Sequence, residues 1–309
     1  MSILSILTGF FLLVVGGEYI VRASVSLSLR FKISKFAIGM TVVALATSFP
    51  ELIVSVNAAL SESPSIAINN VIGSNIANIG LVLSIVSILS FVTVNKNFYK
   101  RDWPIMFIFS LQLLFFVMND NLISQIEGAT LIFTIILFIY FSLKRKERSI
   151  DDENFNIPKV SKFKIFFWLI ISSISLYAGS EFLVDGAVKL AEELSISEAV
   201  ISVSVIAIGT SVPELATSVV AIVKKEKGIS VGNILGSNIF NIGSVLGITS
   251  LIKPIIVSKE IFERDIVWMI LFAILLILLA IIPKKNHLGK LKGAVLLILY
   301  FYFLYVAYK

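Results

Sequence analysis

Ala44-Leu-Ala-Thr47-Ser48-Phe-Pro50-Glu51 returns later in the chain as Ala207-Ile-Gly-Thr210-Ser211-Val-Pro213-Glu214. Asn70-Val-Ile-Gly73-Ser74-Asn75-Ile-Ala-Asn78-Ile-Gly80 returns as Asn233-Ile-Leu-Gly236-Ser237-Asn238-Ile-Phe-Asn241-Ile-Gly243. The offset is 163 residues in both pairs. The first motif of each pair places a carboxylate inside an apolar segment, where charge is unfavourable and usually functional. Two apolar segments interrupted alike by polar residues, Pro and Gly point to the binding site of a transporter.

The surrounding sequence is that of a membrane protein. Of 309 residues, 57% are hydrophobic and 15% charged, against about 45–50% and about 25% in soluble domains. Apolar runs such as Trp268–Ile282 lack the period-two alternation of barrel strands and suit helices that cross a bilayer. Ten spans are expected, at about 3–21, 34–60, 65–92, 103–118, 123–143, 163–184, 197–223, 229–252, 266–283 and 290–308. The apolar N-terminus lacks a basic leader and a small-residue cleavage site, and reads as the first span. There is no cysteine, and the one histidine, His287, lies in a Lys-rich loop. This inventory offers no thiolate chemistry, no His/Cys metal site and no Ser–His–Asp triad. The +6 net charge follows the loops between spans, which argues against nucleic acid as its cause.

The repeat extends beyond the motifs. Gly17-Glu18 meets Ser180-Glu181, Ile33-Ser34 meets Ile196-Ser197, and Arg101-Asp102 meets Arg264-Asp265, all in one gap-free register. The expected fold is therefore an all-α membrane protein of two five-helix repeats. The first covers 1–143 and the second 163–309, joined by a charged cytoplasmic linker at 144–162. Five is odd, so the second copy enters the membrane inverted. Twenty-one of the 26 basic residues fall in or beside loops after odd-numbered spans. By the positive-inside rule the linker is cytoplasmic and both termini lie outside.

Pro50 removes a backbone donor and disfavours helical geometry at Phe49, so a break is expected near 46–50, and likewise before Glu214. Broken helices at membrane depth are tolerated where they line a cavity, and freed carbonyls become ligands. Ser74 and Asn78 share a helix face, as do Ser237 and Asn241; Asn75 points elsewhere. Small-residue helix packing is an alternative account of the glycines and of Asn75 and Asn238. Glu18 and Glu181 admit two readings, cation attraction at an entrance or a carboxylate near a span end. The candidate ligands Glu51, Glu214, Thr47, Thr210, Ser48, Ser211, Ser74, Ser237, Asn78 and Asn241, with exposed carbonyls, form an all-oxygen set. Hard cations such as Ca²⁺ take about 6–8 oxygens. Two carboxylates balance one Ca²⁺; three Na⁺ would leave one positive charge, so a 3:1 exchange would be electrogenic.

These motifs resemble the two alpha-repeats of the cation/calcium exchanger superfamily, most closely its prokaryotic sodium/calcium exchangers, over nearly the whole chain. The resemblance implies an antiporter with Na⁺ and Ca²⁺ as substrates in a lipid bilayer, without a cofactor. It implies an ion-binding core of spans two, three, seven and eight, with spans one and six sliding across it. It implies Glu51 and Glu214 as ligands shared by both ions and the carbonyls of Thr47 and Thr210 as Ca²⁺ ligands. Ala44, Thr47, Ser48 and Ser74 resemble one outer Na⁺ site, and Ala207, Thr210, Ser211 and Ser237 its mate; Asn78 and Asn241 flank the centre. Asn241, where some archaeal relatives and the potassium-coupled branch carry Asp, leaves two core carboxylates and argues against K⁺ co-transport. A proton/calcium exchanger and a passive cation channel remain as rivals, with an intramembrane hydrolase more distant.

Overall fold

The computed structural model describes residues 2–61, 63–144, 160–194, 209–282 and 286–307. Its helices are α1 (Ser2–Phe31), α2 (Lys35–Thr47), α3 (Phe49–Leu60), α4 (Ser65–Leu89), α5 (Phe98–Asp120), α6 (Gln125–Lys144), α7 (Lys162–Glu193), α8 (Val212–Val223), α9 (Lys227–Ile252), α10 (Ile261–Ile281) and α11 (Lys290–Ala307). Among the described residues eight helices are long and apolar enough to cross a membrane, or nine when the bent pair α2–α3 is one span. The protein is thus an all-helical, multi-pass membrane protein. The seventh expected span, 197–223, is described only from residue 209, as α8. The linker lies largely outside the described residues.

Several helices outrun the expected spans. α1 continues to Phe31 rather than ending near residue 21, because Arg22 and Arg30 do not break a helix. It stops where Lys32 takes the left-handed region at φ 55°. α7 likewise runs to Glu193 rather than 184. Ser34 and Ser161 start α2 and α7 as N-caps, accepting from Ala37 N and Lys164 N, the usual remedy for unpaired helix-start donors. Four two-residue strands were not foreseen. β1 (Val92–Thr93) pairs antiparallel with β4 (His287–Leu288), and β2 (Leu122–Ile123) with β3 (Ile255–Ile256).

The chain packs as two compact units, one of Met1–Phe49 with Ile139–Asn233 and one of Pro50–Phe138 with Ile234–Lys309. Each unit draws on both sequence halves. In the first, α1 and α7 cross at backbone distance. A Cβ on Gly179 would sit 2.9 Å from Leu13 N and 3.0 Å from Gly9 O, and one on Gly16 3.1 Å from Ser172 O. Small residues permit such approach, which is how membrane helices gain packing energy without a hydrophobic drive. The opposite side of α1 presents Ile3, Leu4, Leu7, Phe10 and Phe11, all exposed, as a lipid-facing surface requires. In the second unit α5, α6, α10 and α11 surround α4 and the later part of α9. The most apolar windows of α4 and α9 are 83% buried, against 22–39% in the other span-length helices. The Ser/Asn motifs therefore sit on the two innermost helices.

Candidate ion-binding site

The first unit holds Thr47, Ser48, Ser211 and Glu214, while Glu51 belongs to the second. α2 ends at Thr47, Ser48 adopts φ −84°, ψ 6°, and the chain resumes as α3 at an angle of 43°. The break falls where Pro50 predicts it. Ser211, before α8, has almost the same backbone geometry, φ −89°, ψ 4°. Each Glu follows its Ser by three residues and so lies in the first turn of α3 or α8. The positive end of the helix dipole favours a carboxylate there. Glu51 and Glu214 have no exposed surface.

Ser48 Oγ donates to Glu214 Oε1 at 3.5 Å. Thr47 Oγ1 donates to Asn233 Oδ1 at 3.0 Å, and Asn233 Nδ2 donates to Ser218 Oγ at 3.2 Å. Ser211 Oγ is buried and bonded to no described residue. Not every freed carbonyl is open to an ion. Pro213 cannot donate to Gly209 O, but the Ser180 hydroxyl does so at 2.9 Å. The Ala44 carbonyl accepts Ser48 N–H at 2.9 Å. Ala207 lies outside the described residues.

The second unit holds the other set. Asn70 Nδ2 donates to the Glu51 carbonyl at 3.3 Å and to Ser55 Oγ at 3.1 Å, fixing the first turn of α3. Asn70 and Ser55 are the repeat mates of Asn233 and Ser218, so one amide–hydroxyl bond recurs in both halves. Ser74, Asn78, Ser237 and Asn241 are all buried. Asn78 opens a π-helical turn, Asn78–Val82, and Asn241 opens Asn241–Leu246. Such turns insert one residue into a helix and are frequent at functional sites. Asn75 and Asn238, for which helix packing was one reading, hydrogen-bond to Asn241 and Asn78. The supporting roles of Asn70, Asn233, Asn75 and Asn238 escaped sequence reasoning; their recurrence at the repeat offset was the available signal.

Glu18 is not an isolated carboxylate at an entrance. It pairs with Lys224 at 2.8 Å and with Arg22 at 2.5 Å, and since α1 runs to Phe31 it does not lie near the helix end. Glu181 is exposed. Chemically, the two sets supply carboxylate, hydroxyl and amide oxygens buried among apolar helices. That combination suits dehydrated hard cations and offers soft metals no sulfur or imidazole ligand.

A family model described as sodium/calcium exchanger protein matches residues 1–144 and 164–309. The chain is 30% identical to sodium/calcium exchanger MaX1 of Methanosarcina acetivorans, over 99% of this chain and 98% of that protein. It is 36% identical to inner membrane protein YrbG of Escherichia coli, over 89% of this chain and 87% of that one. Among solved structures, the sodium-calcium exchanger NCX_Mj, soaked with Na⁺ and Sr²⁺, superposes with a TM-score of 0.82 at 34% identity. The match covers 97% of this chain and 96% of that one. That structure concerns extracellular ion exchange and binding-site occlusion.

Proposed function

The chain belongs to the sodium/calcium exchanger protein family and is a membrane antiporter of Na⁺ and Ca²⁺, not an enzyme; we propose that Glu51 and Glu214 are the ligands for which the two ions compete. The observation that carries the assignment is the matched pair of helix starts after Ser48 and Ser211. Each delivers a wholly buried glutamate three residues past a Ser of near-identical backbone geometry. Thr47, Ser48, Ser74 and Asn78, with Thr210, Ser211, Ser237 and Asn241, complete the oxygen set, joined by the carbonyls of Ala207 and of Ala44, which gives up its 3.4 Å bond from the Thr47 hydroxyl to the ion.

The proposed architecture is ten spans in two inverted five-helix repeats, 1–143 and 163–309, with the 144–162 linker cytoplasmic and both termini outside. The two strand ladders support the alternation. β1 and β4 lie after the third and ninth spans, and β2 and β3 after the fourth and eighth. Each ladder therefore joins loops that an odd-or-even count puts on one side.

Transport proceeds by alternating access, with α1 and α7 moving as a closely packed pair. Two carboxylates stripped of water and counter-ion are strongly disfavoured. An empty site consequently resists occlusion, which couples outward to inward flux and suppresses leak. With two carboxylates and Asn at both 78 and 241, exchange needs no K⁺. A 3:1 stoichiometry makes it electrogenic. The test is radiolabelled Ca²⁺ flux in proteoliposomes with Na⁺, K⁺ and H⁺ gradients varied independently. Uptake is expected to follow the outward Na⁺ gradient alone. Uptake driven by a pH gradient would favour a proton/calcium exchanger, and flux without any counter-ion a channel.

A further inference from the structure

Four buried amides and two buried thioethers form one hydrogen-bonded group in the second unit. Its members recur at the repeat offset: Asn75 with Asn238, Asn78 with Asn241, and Met106 with Met269. Asn238 Nδ2 lies 3.6 Å from Met106 Sδ. Asn75 Nδ2 lies 3.7 Å from Met269 Sδ and 3.3 Å from the Asn238 carbonyl oxygen. A thioether sulfur and a main-chain carbonyl accept hydrogen bonds and cannot donate them. They hold the NH₂ edge of each asparagine, which turns its Oδ1 edge the other way. Asn238 Oδ1 then accepts from Asn78 Nδ2 at 3.4 Å, and Asn75 Oδ1 from Asn241 Nδ2 at 3.1 Å.

The outcome at the far end is the same in both halves. Asn78 and Asn241 have their NH₂ edges engaged, while their buried Oδ1 atoms receive no hydrogen bond from any described residue. This matters because an amide is ambiguous toward a cation. Its oxygen attracts and its NH₂ repels, and half a turn of the terminal torsion exchanges them. A carboxylate has no such ambiguity.

We propose that Asn75 and Asn238 are positioning residues that set the amides of Asn241 and Asn78 with oxygen, not nitrogen, toward the transported ion, and that Met106 and Met269 set them in turn. This rests on the reading of Asn78 and Asn241 as ligands. The methionine sulfur acts as an acceptor-only anchor at the start of a two-step relay. The relay runs once in each direction between the halves: Met106 through Asn238 to Asn78, and Met269 through Asn75 to Asn241.

The experiment is Na⁺-driven Ca²⁺ uptake in proteoliposomes, with KM and kcat resolved. Asn238→Leu is expected to raise the KM for Ca²⁺ about tenfold or more with a smaller change in kcat, the range typical of losing a ligand's orienting partner. Adding Asn78→Asp to that variant is expected to bring KM back to the value of Asn78→Asp alone, because a carboxylate presents oxygen whichever way it turns. Lost helix packing would not be rescued so. Met106→Leu, which conserves volume, is expected to shift KM in the same direction by less, also rescued by Asn78→Asp. It carries the test if Asn238→Leu does not fold. An unchanged KM in Asn238→Leu and Met106→Leu, or a raised KM that Asn78→Asp leaves raised, overturns the proposal. Asn78→Ala separates this from the site assignment. If it leaves KM unchanged, Asn78 is no ligand and the assignment itself fails. If it raises KM while Asn238→Leu does not, only the positioning role fails.

Discussion

Glu214 accepts from the Ser48 hydroxyl at the limit of hydrogen-bonding distance, 3.5 Å, and is wholly buried. A carboxylate so placed gains most from a cation, and the hydroxyl, itself a ligand candidate, lies beside it. Thr47 is held more firmly, through Asn233 to Ser218. Asn233→Ala removes both bonds, each worth roughly 0.5–1.5 kcal/mol net. The variant is expected to melt at lower temperature in detergent and to bind Ca²⁺ more weakly; unchanged values in both measurements would show that Asn233 supports nothing. The candidate ligands were legible in sequence because residue types that are unfavourable in a membrane recur at one offset. The orienting role of the asparagine in each Gly-Ser-Asn run, Asn75 and Asn238, was not. Whether a buried amide packs against a helix or orients another amide depends on a partner some 160 residues away, such as Asn238 for Asn78.

Among the elements, the break between α2 and α3 was legible and the π turns and strands were not. Pro50 and Pro213 announce a missing donor whatever the tertiary context. A π turn at Asn78–Val82 inserts one residue without changing the apolar pattern. A two-residue strand such as β1 is too short to show any alternation. The α1–α7 crossing carries its own prediction. In Gly179→Val the new Cβ meets the backbone of Leu13 and Gly9 at 2.9–3.0 Å, so a helix must shift. Overpacking of this kind typically destabilises by about 1–3 kcal/mol. The expected result is a lower melting temperature and slower exchange, with Ca²⁺ binding nearer to wild type than transport. Transport at the wild-type rate would show that close approach of α1 and α7 is not needed.

For the molecule as a whole, composition alone revealed a membrane protein, and the sequence repeat is the basis of the proposed inverted architecture. The compact units were not legible, because each unites segments from both halves, such as Met1–Phe49 with Ile139–Asn233. Sidedness can be tested directly, since the chain has no cysteine of its own. Lys96→Cys is expected to react with an impermeant thiol reagent only from the cytoplasmic face, and Asp120→Cys only from outside; labelling from one common face would refute the alternation. Electrogenic exchange predicts that Na⁺-driven Ca²⁺ uptake responds to a clamped membrane potential, with about 2.3 kcal/mol available per charge and 100 mV. Uptake indifferent to potential would exclude a 3:1 ratio.

Equilibrium binding of radiolabelled Ca²⁺ to the purified protein, titrated with Na⁺, tests the paired glutamates most directly. Wild-type protein is expected to bind one Ca²⁺ per chain, displaced by Na⁺, and Glu51→Gln and Glu214→Gln are each expected to lose it. Near-wild-type Ca²⁺ affinity in either single variant would contradict a site built on both carboxylates.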